Sequence, residues 1–360
     1  MLPEIAYALL TDSEIGAGKL IGVTAVDKDK MTVAAKFCLA NGFFWDGVIT
    51  QSQNLREFIF TQAAYCFLDF TIVGGRFSLY PSVPFNTTDL TIATVPPPTN
   101  SSGEPIEDTG KPSIKALFTD GNIKDLKVSF LSPEERQVFQ ARVLWRKEQE
   151  NGFAETKVAE VILNDVQSTE SWQGGSENDP IETFDMSTFC TSNKHAIRFA
   201  RYALRTRQLV DHGLTFQTTP QAAMFLMPGD YFRLYSESTH TSRFANGVIT
   251  EGGVIQAQKA ISNGENIYYW NPKSEELRDE VKYGSIVILD SGLASETFRG
   301  CVFTVAQTDS SDRVYKVESL TFAEDGLVEV AGSHVPLTSN GYVAVLHQVY
   351  DGGGDFIEST

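Results

Sequence analysis

Histidine and cysteine side chains could bind a metal or act in catalysis, and the chain contains only nine of them. No histidine is spaced as HExxH or HxH, and no two cysteines form a CxxC pair. The spacing therefore predicts no metal centre and no cofactor, and it indicates reduced, buried thiols. The residues concerned are His195, His212, His240, His334, His347, Cys38, Cys66, Cys190 and Cys301.

Paired carboxylates could cleave glycosides, because that reaction needs two acidic groups on either side of the scissile bond. The adjacent acid pairs are Glu134/Glu135, Glu275/Glu276 and Asp279/Glu280. Adjacency in sequence does not set the separation of two carboxylates in space, so surface turn charge is the favoured interpretation. There is no GxSxG nucleophile motif, and the run at residues 16–19 lacks the spacing of a phosphate-binding loop. We therefore predict no catalytic residues, with a cell-wall-degrading enzyme as an alternative.

A cluster of arginines is the clearest local departure from the overall charge. The chain has 29 Lys and Arg against 46 Asp and Glu, a formal charge of -17, yet residues 193–210 carry five basic residues and no acid. Arg198, Arg201 and Arg205 recur at helical spacing on one face. We predict that these three form a subunit or partner interface, because arginine pairs bidentately with carboxylates. A solvated face paired with acidic loops of the same chain is equally compatible with the pattern, and a stripe facing passing DNA is a third interpretation.

The composition restricts both the fold and the partners. The chain has 360 residues, of which 42% are hydrophobic and 11% aromatic, so overall disorder is excluded. The acidic excess argues against sequence-specific nucleic-acid binding. Abundant Phe, Tyr, Val, Ile and Thr favour β structure. With neither a basic and apolar leader nor a run of about 18 apolar residues, we expect folding in a cytosol-like compartment and no stable membrane insertion by this chain.

Periodicity predicts an α+β fold that is mainly β. Helices are expected at residues 27–42, 54–67 and 192–209, where apolar residues recur at three and four. A tight hairpin is expected around Gly74 and Gly75. The turn at 228–230 should begin a strand at residues 231–235. Further strands are expected at residues 43–49, 124–131, 137–146, 156–163, 214–218, 247–257, 286–289, 301–307, 313–322, 327–331 and 342–349.

Three ordered motifs carry a resemblance to a known family. They are residues 181–205 (IETFDMSTFCTSNKHAIRFARYALR), 214–220 (LTFQTTP) and 227–233 (MPGDYFR). Together they resemble the tail tip or baseplate hub proteins of tailed bacteriophages, and the protein J group of long, non-contractile tails most of all. Further similar stretches lie in order at residues 35–49, 54–58, 69–81, 131–139 and 315–331.

The resemblance implies a structural virion protein at the distal end of a phage tail. Its expected form is a homotrimer of α+β and β-barrel-like hub domains around a lumen for DNA ejection. The expected partners are a distal tail protein or tail tube protein, the tape measure protein, and a central spike or fibre, with assembly in the host bacterial cytoplasm. A host-surface binding module is the remaining alternative. The expected division is residues 1–95 (α+β hub domain), 96–112 (linker), 113–180 (β-rich hub segment), 181–350 (helix followed by a barrel-like hub domain) and 351–360 (flexible tail).

Overall fold

A computed structural model describes most of the chain, and its elements are mixed α and β with strands in the majority. The described residues are 1–49, 54–106, 109–132, 134–137, 139–147, 157–163, 179–224, 226–236, 245–250, 253–271, 276–280, 282, 284–288, 300–307, 313–323 and 326–346. The tail expected at 351–360 lies outside this part. The fold class predicted from the sequence is confirmed.

The helices are α1 (Leu2–Thr11), α2 (Lys28–Asn41), α3 (Leu55–Tyr65), α4 (Asn193–Leu209) and α5 (Pro220–Ala223), with 3-10 turns at Val23–Ala25 and Ala344–Leu346. The strands are β1 (Leu68–Val73), β2 (Arg76–Pro81), β3 (Ile114–Thr119), β4 (Ile123–Phe130), β5 (Gln140–Lys147), β6 (Lys157–Leu163), β7 (Ile181–Asp185), β8 (His212–Thr218), β9 (Tyr231–Tyr235), β10 (Ala245–Val248), β11 (Val254–Ile261), β12 (Glu265–Asn271), β13 (Glu276–Glu280), β14 (Gly284–Ile288), β15 (Val302–Gln307), β16 (Val314–Phe322) and β17 (Val328–His334).

The chain forms two compact units, each assembled from separated stretches. The first unit comprises Met1–Lys111, Ser132–Leu209 and Tyr342–Thr360, and the second comprises Pro112–Leu131 and Val210–Gly341. The five-part division expected from the sequence describes the order of segments along the chain and stays a prediction.

Capping residues set ends of the helices in the first unit. The Asp27 side chain accepts a hydrogen bond from Lys30 N at the start of α2, and Gly42 ends that helix with φ of 70°. Asn54 caps α3 in the same way. The predicted helices near 27–42, 54–67 and 192–209 are therefore confirmed, with ends within two residues.

The strands of the first unit form two small sheets. β1 and β2 are an antiparallel hairpin whose tight turn contains Gly74 and Gly75, both with positive φ, as predicted. In the other sheet β5 is central, antiparallel to β6 and parallel to β7. Helix α4 packs on this sheet.

The second unit is built on a curled, six-stranded half-barrel sheet with the order β3-β9-β16-β17-β8-β4. Cross-strand register places five rings side by side across it, and we call them the ring row: Phe130, His212, His334, Tyr315 and Phe232. In-register side chains of neighbouring strands share one face, so each ring packs on the next. Centroid separations along the row are 5.1, 4.5, 5.9 and 5.6 Å. The row runs from exposed Phe130 to fully buried Phe232.

A second core lies among the remaining strands of this unit. Strands β10, β15, β12 and β13 form one sheet, and β11 pairs with β14. Their shared cluster of buried side chains consists of Ile249, Ile255, Ile261, Ile267, Tyr269, Phe303 and Val305.

Three sequence predictions of strands are wrong. Residues 43–49 have no regular structure, although Phe43 is fully buried and Trp45 nearly so, because these side chains pack with other rings rather than in a ladder. The stretch 247–257 is divided between β10 and β11, which lie in different sheets, and Gly253 just before β11 has positive φ. In the described part of 342–349 the chain forms a 3-10 turn.

None of the helices in the described ranges combines the length and apolar character needed to cross a membrane.

Gly332 in β17 of the six-stranded sheet has too little space around it for a side chain. A Cβ built there would lie 2.9 Å from the Phe232 ring and 3.0 Å from the Lys316 carbonyl oxygen. We predict that Gly332→Ala lowers the free energy of unfolding by about 1–3 kcal/mol, because the ring of Phe232 must leave its place in the row. Urea unfolding of the purified chain measures this.

The matched control is Gly213→Ala on the neighbouring strand β8. A Cβ at Gly213 comes no closer than 3.4 Å to the Gly332 carbonyl oxygen. It should cost less than about 1 kcal/mol. Equal destabilisation by the two variants would contradict the packing described for the ring row.

Candidate functional site

The motif at residues 181–205 folds as β7, a tight turn and α4. The Asp185 carboxylate accepts hydrogen bonds from Ser187 N at 2.9 Å and Ser187 Oγ at 2.6 Å, which closes the turn after the strand. Phe189 and Cys190 then enter the core, and the Ser192 hydroxyl accepts a bond from His195 N at the start of the helix. The polar residues of this motif fix a change of chain direction.

The other two motifs also form joints between elements. Thr219 caps the short helix α5 by accepting from Ala222 N, and Pro220 occupies the first turn, where a missing N–H costs nothing. Gly229 has φ of 97° and donates its N–H to the Val317 carbonyl, while the Asp230 carboxylate accepts from Met227 N at 2.8 Å. The predicted turn before β9 is confirmed, and it attaches β9 to β16.

Arg198 is held by contacts within its own unit. Its guanidinium donates a hydrogen bond to the Asn41 carbonyl at 2.7 Å and lies over the Phe43 ring at 5.8 Å. Asn41 itself ends α2, so this arginine supplies a donor to the C-terminal carbonyls of that helix.

Arg205 lies deeper than the sequence suggests. Its side chain is 5% exposed and donates to the Gln208 amide oxygen at 3.2 Å. Arg201 is half-buried. The structure thus brings the three predicted interface arginines onto one helix, with two of them in the packing of the first unit, and the interface role stays a prediction. Sequence spacing cannot distinguish a buried arginine face from a solvated one, because both have the same period.

His195 on the same helix is a buried structural residue. Its Nε2 donates to the Tyr65 carbonyl at 2.8 Å, and its ring lies 4.7 Å from Phe43. Burial lowers the pKa of His195 to about 4, a shift that the nearby Arg198 charge reinforces and the bond to Tyr65 opposes. The imidazole is therefore neutral at neutral pH.

A group of metal-ligand side chains that the sequence analysis missed lies at one end of the half-barrel sheet. Asp211, His212 and His334 place their donor atoms within 4.8 Å of one another. Burial by itself raises the pKa of the Asp211 carboxyl, but hydrogen bonds and charge from His212 and His334 outweigh it and hold the pKa below its ordinary value. His334 is 123 residues from Asp211 in sequence, so only the pairing of β8 with β17 shows that they are neighbours.

The structure also describes some of the acidic residues and cysteines that the sequence analysis considered for catalysis. Glu135 accepts a hydrogen bond from Ser132 N, which lowers the pKa of its exposed carboxyl, whereas a glycosidase acid needs a raised pKa. Burial raises the pKa of the Cys38 thiol to about 12 and that of Cys190 to about 11, so neither is a thiolate at neutral pH. Among the other acids considered, Glu275 lies outside the described residues.

Comparison with known proteins gives distant structural likenesses. No protein-family profile and no curated protein matches the sequence. A chain of the virion of the native gene transfer agent particle is 11% identical, with a TM-score of 0.36 over 84% of this chain and 46% of that one. The 43 kDa tail protein of prophage MuSo2 from Shewanella oneidensis is 9% identical, with a TM-score of 0.30 over 54% and 49%. The tail protein from Neisseria meningitidis MC58 is 10% identical, with a TM-score of 0.29 over 76% and 64%.

These three proteins carry virion or tail descriptions, and this chain spans from about half to just under two thirds of their lengths. Because identity is near 10% and the TM-scores are below 0.5, the function of this chain has to be argued from its own residues.

Buried His195 should make stability depend on pH. The unfolded chain takes up a proton at this residue near pH 6.5 and the folded chain only near pH 4, so the unfolded state binds more protons in this window. The contribution of His195 to the free energy of unfolding is fully present above about pH 7, and it decreases by roughly 3 kcal/mol as the pH falls to 4.

The variant His195→Gln keeps an amide donor for the Tyr65 carbonyl and cannot take up a proton in this range. Urea unfolding of both proteins at intervals from pH 7 to pH 4 should show the wild-type chain losing the additional stability. Parallel pH profiles for the two proteins would contradict the assignment.

Proposed function

We propose that this chain is a structural component of a bacteriophage tail, the hub at its distal end. In this proposal three copies close a ring around the tail lumen. The ring connects the tail tube or distal tail protein above, with the tape measure protein, to a central spike or fibre below, and DNA leaves through it. The role is non-enzymatic, and the protein resides in the virion.

The proposal rests on the structural role of the three motifs that resemble tail hub proteins, at residues 181–205, 214–220 and 227–233. Their polar residues, such as Asp185, Thr219 and Asp230, cap helices and close turns, and their apolar residues fill the core. Such residues specify how a chain changes direction between elements. An ordered set of structural joints supports descent from an architectural protein.

The surface and the charge suit a subunit of a ring. Large apolar side chains are exposed on the second unit, with Phe130 at 72% and Phe322 at 78%. A contiguous exposed apolar patch marks a protein-binding surface, and we propose that these side chains contribute to the contacts between subunits. The net charge of -17 would repel duplex DNA and so keep it from adhering to the lumen during passage.

Ring closure by rotation needs a heterologous interface, in which two different patches of the same chain meet. Helix α4 carries the predicted interface arginines in an acidic protein, and we retain the part of α4 around half-buried Arg201 as one of the two patches. Arg201 also has contacts within its own chain, and we choose it as the test position because Arg205 is buried more deeply and Arg198 bonds to the end of α2.

Light scattering on the purified chain tests the ring directly. We expect a mass three times 39.7 kDa at micromolar concentrations. A monomer throughout that range would contradict the hub proposal.

The interface is tested by Arg201→Glu, for which we expect at least about tenfold weaker trimer association, because a like charge would then face the acidic partner patch. Lys36→Glu on α2 makes the same charge change at an exposed position of another helix, and it should leave association unchanged. Trimers of undiminished stability in the Arg201 variant would refute the α4 interface while leaving the ring in place.

A further inference from the structure

The end of the half-barrel sheet holds two imidazoles and a carboxylate in fixed register. His212 is the first residue of β8 and His334 the last of β17, and the pairing of Gly213 with Ser333 sets them beside each other. Their rings stack with centroids 4.5 Å apart and planes 20° apart. Asp211 precedes β8 directly, so its carboxylate meets both rings.

The donor atoms of the three side chains all lie within 4.8 Å of one another. Asp211 Oδ1 lies 2.7 Å from His212 Nδ1 and 2.9 Å from His334 Nδ1. An ion bound at about 2.0–2.2 Å from nitrogen and oxygen ligands keeps neighbouring donors about 3 Å apart. The three side chains therefore need to separate only slightly to admit an ion in place of the hydrogen bonds between them.

Neighbouring groups orient the His212 ring for this purpose. Its other nitrogen, Nε2, lies 3.1 Å from the hydroxyl of buried Tyr315, so Nδ1 is the atom turned toward Asp211. Metal-binding histidines have such an outer partner for the second nitrogen, which fixes ring orientation and tautomer. In the ring row His212 lies between Phe130 and His334, with centroid separations of 5.1 and 4.5 Å.

The site is open on one side. The Asp211 side chain is 35% exposed, whereas those of His212 and His334 are 13% and 11% exposed. An ion could enter past the carboxylate and complete its coordination with water. Two imidazoles and one carboxylate suit zinc and the neighbouring divalent transition metals, while magnesium and calcium require oxygen ligands throughout.

We propose that Asp211, His212 and His334 bind a divalent transition-metal ion of the zinc class, which joins the ends of β8 and β17. The inference goes beyond the hub role and does not depend on it. Bound metal would stabilise the folded chain, because the unfolded chain does not hold these three donors together.

Titration of the full-length, untagged chain with zinc after treatment with a chelator tests the site. We expect one zinc ion per chain with micromolar or tighter affinity and a rise in the unfolding temperature. Cobalt provides a readout that needs no variant, since a site with mixed nitrogen and oxygen ligands gives it visible absorption bands. Absence of both zinc binding and a cobalt spectrum would overturn the proposal.

Variants separate this site from the thiols and from scattered surface ligands. Asp211→Asn keeps a hydrogen-bond acceptor for the two rings while removing the charge. His334→Gln removes one of the two imidazole ligands. Each should weaken zinc binding by at least about a hundredfold, and Tyr315→Phe, which removes only the outer partner, by about tenfold. Circular dichroism of each variant verifies that it is folded.

Glu318→Gln is the matched control. Glu318 is an exposed carboxylate on the neighbouring strand β16 and bonds to Ser333, next to His334, without belonging to the cluster. It should bind zinc as the wild-type chain does. Unchanged affinity in the folded Asp211 and His334 variants would show that the cluster is only a hydrogen-bonded network.

Discussion

Packing of in-register rings across the six-stranded sheet is the interaction on which the second unit depends. Phe232 and Tyr315 anchor the row in the core, where they join the buried Phe118 and Phe216. Because register decides which face each side chain occupies, a slip of one residue would remove every ring from the row. The same register brings His212 to His334 at the end of the sheet, so core packing and the histidine cluster are consequences of a single strand alignment.

Local chemistry made part of this fold predictable. Apolar spacing predicted the helices, whose ends are set locally by Asp27, Gly42 and Asn54, and the Gly74-Gly75 pair predicted a hairpin, because caps and tight turns depend on a few adjacent residues. The irregular segment at 43–49 was mistaken for a strand, since its aromatic residues have the composition of a strand although they pack with rings elsewhere in the first unit. Pattern alone does not reveal which partner an apolar residue has.

For the candidate sites too, the sequence pattern does not show which residues are in contact in the fold. The spacing of Arg198, Arg201 and Arg205 correctly placed them on one helix, but the burial of Arg205 depends on the segments that pack over α4. Asp211 and His334 come together only through the pairing of β8 with β17, a contact between residues 123 positions apart. No local sequence motif predicts such a pairing, so the sequence spacing of His212 and His334 gave no sign of a shared site.

We propose that this chain works by assembling copies of itself into a ring at the end of a phage tail. Its resembling motifs act as structural joints, and large apolar side chains such as Phe130 and Phe322 are exposed on its second unit. Negative-stain electron microscopy of the purified chain, with two-dimensional class averages, tests this claim most directly. We expect rings with threefold symmetry and a central opening; class averages that show only single subunits or closed twofold dimers would exclude such a ring.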